Sequence, residues 1–65
     1  MFKQLICSHA DVYTVPEEIH RMKTEYEKQG FKCESFLNQL RIYLVDGYVN
    51  IWWENGNFYQ ECISN

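Results

Sequence analysis

The chain is short of residues that break regular structure: one proline and three glycines occur in 65 residues. No linker, repeat or low-complexity tract is visible, so residues 1–65 are expected to form one domain. Cysteine is scarce and odd in number. Cys7, Cys33 and Cys62 cannot all pair within one chain, which argues against a disulfide framework. Long apolar runs are missing as well, none approaching the roughly 18 residues that span a bilayer. The opening Met1-Phe2-Lys3-Gln4-Leu5-Ile6-Cys7 lacks a basic leader before an apolar stretch, so no signal peptide is expected. These absences predict a reduced, cytoplasmic protein without a membrane partner, read as a complete small gene product. Positive charge is the last deficit. Six Lys and Arg face nine Asp and Glu, a net −3 that disfavours a charge-driven grip on nucleic acid or anionic lipid.

What the chain does have is apolar and aromatic content. Hydrophobic residues make up 46% and aromatics 17%, the latter roughly twice an ordinary share, which excludes a disordered chain. A domain of this size buries only about 60% of the surface its unfolded chain exposes, so packing has to be good or a partner has to help.

Local patterns predict an α+β domain in the order β-α-β-β-β(-β), with one helix on one face of a mostly antiparallel sheet. Residues 2–8 read as a first strand, although Leu5-Ile6-Cys7 is a continuous apolar run rather than an alternation. Residues 9–13 read as a loop. Thr14-Val15-Pro16-Glu17 resembles a helix start, with Thr14 as cap, Glu17 closing a capping box and Pro16 in the first turn. Val15, Ile19, Met22 and Tyr26 form one apolar stripe, Glu17 and Arg21 stand four apart, and Gly30 suits a left-handed stop. The spacing predicts a helix over 15–29. Strands are expected at 31–36, 39–45, 48–54 and 58–63, the first two separate or one bulged strand. A first strand followed by a helix crossover could join a neighbour in parallel.

Asp46-Gly47 and Asn55-Gly56 are hairpin signals, because two-residue turns of this kind need positive φ. Pairing across Asp46-Gly47 places Leu40, Ile42, Leu44, Val49, Ile51 and Trp53 on one apolar face, which the helix must cover. Arg41 would then oppose Trp52. Across Asn55-Gly56, Trp53 opposes Phe58 inside and Trp52 opposes Tyr59 outside. One helix cannot cover both faces. The second face therefore presents Tyr43, Tyr48, Trp52 and Tyr59 with Arg41 and Asn50, residue types enriched where proteins meet. Tyr and Trp also simply favour strands, and residues 9–13 or Ile63-Ser64-Asn65 could fold over them.

Those six residues are the candidate partner-binding site. The expected partner is another protein or a second copy of the chain, with nucleic acid a weaker option because no Lys/Arg groove accompanies the rings. Acids along the helix could imitate phosphates, but Glu17, Glu18, Glu25 and Glu27 are offset by Arg21, Lys23 and Lys28. Cys7-Ser8-His9 puts a thiol near an imidazole, yet without a glycine-rich oxyanion turn; a packed Cys and a loop His explain it better. Cys7, His9, His20, Cys33 and Cys62 lack zinc-ligand spacing, and the Glu17-x-x-His20 turn has no partner helix. Cys33 and Cys62 are expected at the core or its boundary, and His20 at the helix flank. The expectation is a non-catalytic binder without cofactor or metal, of the style of small phage- or mobile-element inhibitors.

Overall fold

A computed structural model describes residues 3–64, so Met1, Phe2 and Asn65, including the expected start of the first strand, lie outside the described residues. The chain forms β1 (Gln4–Ser8), a 3₁₀ turn (Val12–Thr14), α1 (Val15–Lys28), β2 (Lys32–Phe36), β3 (Gln39–Leu44), β4 (Gly47–Glu54) and β5 (Asn57–Ser64). The five strands make one sheet in the order β1-β5-β4-β3-β2. Every neighbouring pair is antiparallel. This is the α+β domain expected from the sequence, with α1 lying over β2 and β3.

The first strand departs from the parallel option. It pairs antiparallel with β5, the last strand, so the helix carries the chain from one edge of the sheet to the other. The apolar run in β1 has a local cause. The register slips between Leu5 and Cys7, a β-bulge that leaves Ile6 unpaired. Ile6 and Cys7 then both line the helix side of the sheet, which breaks the alternation.

α1 starts differently from the expected capping box. The Thr14 side chain caps no helix amide. Its hydroxyl donates instead to the Asp11 carbonyl, 3.1 Å, while the Asp11 carboxylate accepts from the Tyr13 amide, 3.0 Å. The 3₁₀ turn thus takes the capping groups that the helix would have used. Arg21 pairs with Glu18 rather than Glu17, its Nε donating at 2.9 Å. The helix end follows expectation. Gly30 has φ +95°, its amide bonds the Glu27 carbonyl at 3.0 Å, and the Phe31 amide bonds the Tyr26 carbonyl at 3.1 Å. This is a Schellman stop, and the Tyr26 and Phe31 rings meet edge-on at 6.1 Å to provide its apolar contact.

Residues 36–39 form a separate hairpin. Phe36 opposes Gln39 around Leu37-Asn38, and the Asn38 carbonyl accepts from the Trp53 amide at 3.0 Å. The β4–β5 hairpin turns on Asn55 (φ +48°) and Gly56 (φ +84°), which puts Trp53 opposite Phe58 and Trp52 opposite Tyr59. The β3–β4 turn is different. Its central residues are Val45 and Asp46, neither with positive φ, and Leu44 opposes Gly47. Arg41 therefore faces Asn50, and Leu40 faces Ile51, two residues from the expected register. Because the shift is two rather than one, every side chain keeps its face. Gly47 is inside the ladder: a Cβ there would collide with the Ile63 carbonyl of β5.

The helix side of the sheet holds the core, formed by Val15, Ile19, Cys33, Leu40, Ile42, Ile51 and Phe58. Met22, Tyr26, Phe31, Val49 and Trp53 pack around it. Burying side chains such as Ile42 or Phe58 contributes about 1.5–3 kcal/mol each relative to exposure. Leu44, expected fully inside, is half-buried beside its turn. Cys33 is buried as expected, but Cys62 and Cys7 are exposed, because α1 covers the β2–β3 side and leaves β5 and β1 at the margin.

Candidate functional site

The loop that could have covered the second sheet face closes the core instead. The His9 ring lies 5.4 Å from the buried Phe58 ring. Its Nε2 is hydrogen-bonded to Thr14 Oγ1 at 2.7 Å, and its carbonyl accepts from Trp53 Nε1 at 2.7 Å. Residues 63 and 64 belong to β5. Asn65 lies outside the described residues, and among the described residues neither segment lies across the outer face.

Register assigns the outer side chains to three rows across the sheet. The first row is Phe36, Gln39, Trp52, Tyr59 and Leu5, one residue from each strand. Phe36 and Leu5, at its two ends, are 67% and 61% exposed. Between them the Trp52 and Tyr59 rings sit 5.9 Å apart at 31°. Trp52 Nε1 donates to Glu54 Oε1 at 3.1 Å, and Asn57 Nδ2 donates to the Tyr59 hydroxyl at 3.3 Å. Lys3 Nζ lies 4.3 Å above the Tyr59 ring and 3.6 Å from the Glu54 carboxylate.

The middle row, Glu34, Arg41, Asn50 and Glu61, is polar. Arg41 Nε donates to Asn50 Oδ1 at 3.1 Å, and the guanidinium carbon lies 4.2 Å from the Tyr48 ring centroid. The expected pairing of Arg41 with Trp52 is replaced by Arg41 opposite Asn50, and the cation rests on Tyr48. The third row is Lys32, Tyr43, Tyr48 and Ile63. The Tyr43 hydroxyl donates to Glu34 Oε1 at 2.6 Å, which holds its proton and raises its pKa above the ordinary phenol value. Lys32 Nζ lies 5.8 Å from the Tyr43 ring.

All six candidate residues, Arg41, Tyr43, Tyr48, Asn50, Trp52 and Tyr59, thus share this face and are half-buried against one another. Sequence reasoning missed Phe36, Leu5, Ile63 and two cations, Lys3 and Lys32. Phe36 follows from a two-residue turn at Leu37-Asn38, a signal weakened by the lack of glycine. Leu5 and Lys3 depend on the β1–β5 pairing, which no local pattern announces. Lys3, Lys32 and Arg41 are each set over a tyrosine ring and are balanced by Glu34, Glu54 and Glu61, so among the described residues the face has both signs and no formal excess.

The helix side carries a second feature, a groove of about 420 Å³ along α1 lined by Ile6, Met22, Tyr26, Ile51 and Gln60. Cys7 lies at its margin. His9 Nε2 is hydrogen-bonded to Thr14 Oγ1, and among the described residues no hydrogen bond joins Cys7 to His9. Among the described residues no three His, Cys, Asp or Glu side chains gather in a metal-holding arrangement. No described helix is long and apolar enough to cross a membrane. No protein-family model matches the chain, and no curated protein or solved structure does.

Proposed function

We propose that the protein is a small non-catalytic protein-binding module, an inhibitor of the phage or mobile-element style that acts in the cytoplasm by covering a site on a larger protein. The outer sheet face is its contact surface. One observation carries this reading: a face that no other described segment covers, whose first row runs Phe36, Gln39, Trp52, Tyr59 and Leu5 across the whole sheet. Two rows bearing rings and aliphatics flank a polar middle row that holds Arg41, and Tyr, Trp, Phe and Arg are the residue types enriched where proteins meet. The face belongs to a molecule with principal extents of 33 × 26 × 16 Å, on the scale of the roughly 800 Å² each partner contributes to an ordinary stable complex. A broad sheet face of this kind suits occlusion of a partner rather than enclosure of a small molecule.

Capture from the source cells tests the proposal. Wild-type bait is expected to retain a specific protein that Trp52→Ala/Tyr59→Ala bait, folded by circular dichroism, does not. Equal capture by both baits removes the outer face from the interaction.

A second reading has its own support. Lys3, Lys32 and Arg41, each over a tyrosine ring, are groups that hold single-stranded nucleic acid. Glu34, Glu54 and Glu61 on the same face oppose it. Retention of oligonucleotide at low salt, falling steeply with added salt, would favour this second reading over the first.

A further inference from the structure

The two edges of the sheet are built differently. β1 is interrupted by the bulge at Leu5/Cys7, a device that spoils an edge for further pairing. β2 is regular: all five of its residues pair in step with β3, from Lys32 opposite Tyr43 to Phe36 opposite Gln39. Its other side is the open end of the sheet. Lys32 and Glu34 point to the outer face at this edge, both exposed. Neither belongs to an ion pair among the described residues.

We propose that β2 pairs antiparallel with β2 of a second copy of this chain, Cys33 opposite Cys33 on the two-fold axis. The occupant is chosen by charge. In this register each Lys32 faces Glu34 of the other copy, so two opposite-charge pairs form across the junction. Sliding by two residues in one direction sets Lys32 against Lys32, and in the other direction Glu34 against Glu34. A slide by one residue would turn the core face of one sheet to the outer side of the other. The pair Lys32 and Glu34 thus favours one symmetric register and repels its neighbours, the attraction and the exclusion together specifying the partner. The result is a continuous ten-stranded sheet with both aromatic faces on the same side and both helices on the other. It rests on the edge alone and leaves the outer face free for another protein.

Charge exchange tests it. Sedimentation of the wild-type chain from micromolar to millimolar concentration is expected to show a monomer–dimer equilibrium. Lys32→Glu and Glu34→Lys, each alone, should weaken self-association by roughly ten-fold or more, because both cross-pairs become like-charged. Mixing the two variants should restore a dimer, since one brings two acids and the other two bases in complementary order. A folding defect would not be rescued by mixing. The double exchange Lys32→Glu/Glu34→Lys should dimerise as wild type does, and Trp52→Ala should leave the dimer intact. A wild-type monomer at millimolar concentration overturns the proposal. So does a dimer indifferent to both single exchanges, or one abolished by Trp52→Ala, which would place self-association on the outer face.

Discussion

A methyl group on Gly47 would run into the Ile63 carbonyl, with β5 backbone rather than a flexible side chain in the way. Gly47→Ala is therefore expected to cost about 2 kcal/mol or more in chemical denaturation, as overpacking of backbone does. Gly30→Ala meets no atom but keeps φ +95°, so a smaller loss of about 1 kcal/mol is expected from conformation alone. The cysteines divide in the same way by position. Cys7 and Cys62 are exposed and Cys33 is buried. In the folded protein Cys7 and Cys62 should react promptly with a thiol reagent, and Cys33 only at the rate of opening. Burial, and next to it the Glu27 carboxylate, raises the Cys33 thiol above its ordinary pKa. The native state thus resists deprotonation that the unfolded chain allows. The resulting stability is complete below the unfolded thiol pKa and is lost as pH rises through the native one. Urea midpoints should therefore fall on the alkaline side, and Cys33→Ala should flatten that fall while lowering stability at neutral pH.

At the scale of elements, the two faces of β4 should respond differently to truncation. Ile51→Ala removes a fully buried side chain and should cost about 2–5 kcal/mol. Trp52→Ala removes a half-buried ring stacked on Tyr59 and should cost less, about 0.5–1.5 kcal/mol. Equal losses measured by denaturation would mean that the outer face is a second core. The contrast was legible in the sequence because the period of two holds within residues 39–44 and again within 47–54. Placing the β3–β4 turn at Asp46-Gly47 missed it by one step, yet the sorting into faces survived because the pairing moved by two. The glycine signalled close approach of β5 to β4, a tertiary demand that reads locally like a turn. The same limit hid the capping of α1. Thr14 has the right identity for a cap, but Asp11 and His9, from the preceding turn, use its hydroxyl. β2 and Phe36 were legible in outline, whereas Leu5 and Lys3 needed a partner strand more than fifty residues away.

For the whole molecule, that distant partner sets the order of assembly. β2, β3, β4 and β5 follow one another through two-residue turns, whereas Gln4 has to find Gln60. Closing the longer loop costs more entropy before any contact repays it. The four-stranded meander and the helix over β2 and β3 should form first, and β1 should dock last. In a mutational study of folding rates, Ile42→Val and Ile51→Val should slow folding, whereas Leu5→Ala should mainly speed unfolding. Amide exchange should likewise be faster in β1 than in β4.

Trp52 and Trp53 are consecutive, so the sheet sends one indole to each side. Trp52 lies against Tyr59 among the outer rings, and Trp53 donates to the His9 carbonyl beside the core. The chain thus carries two optical reporters with separate duties. With Trp53→Phe, the remaining emission should shift when a ligand settles on the aromatic rows; with Trp52→Phe, it should stay silent to that event and change only as the hydrophobic interior opens. Recognition and unfolding can therefore be followed independently in the same small protein, without any attached dye.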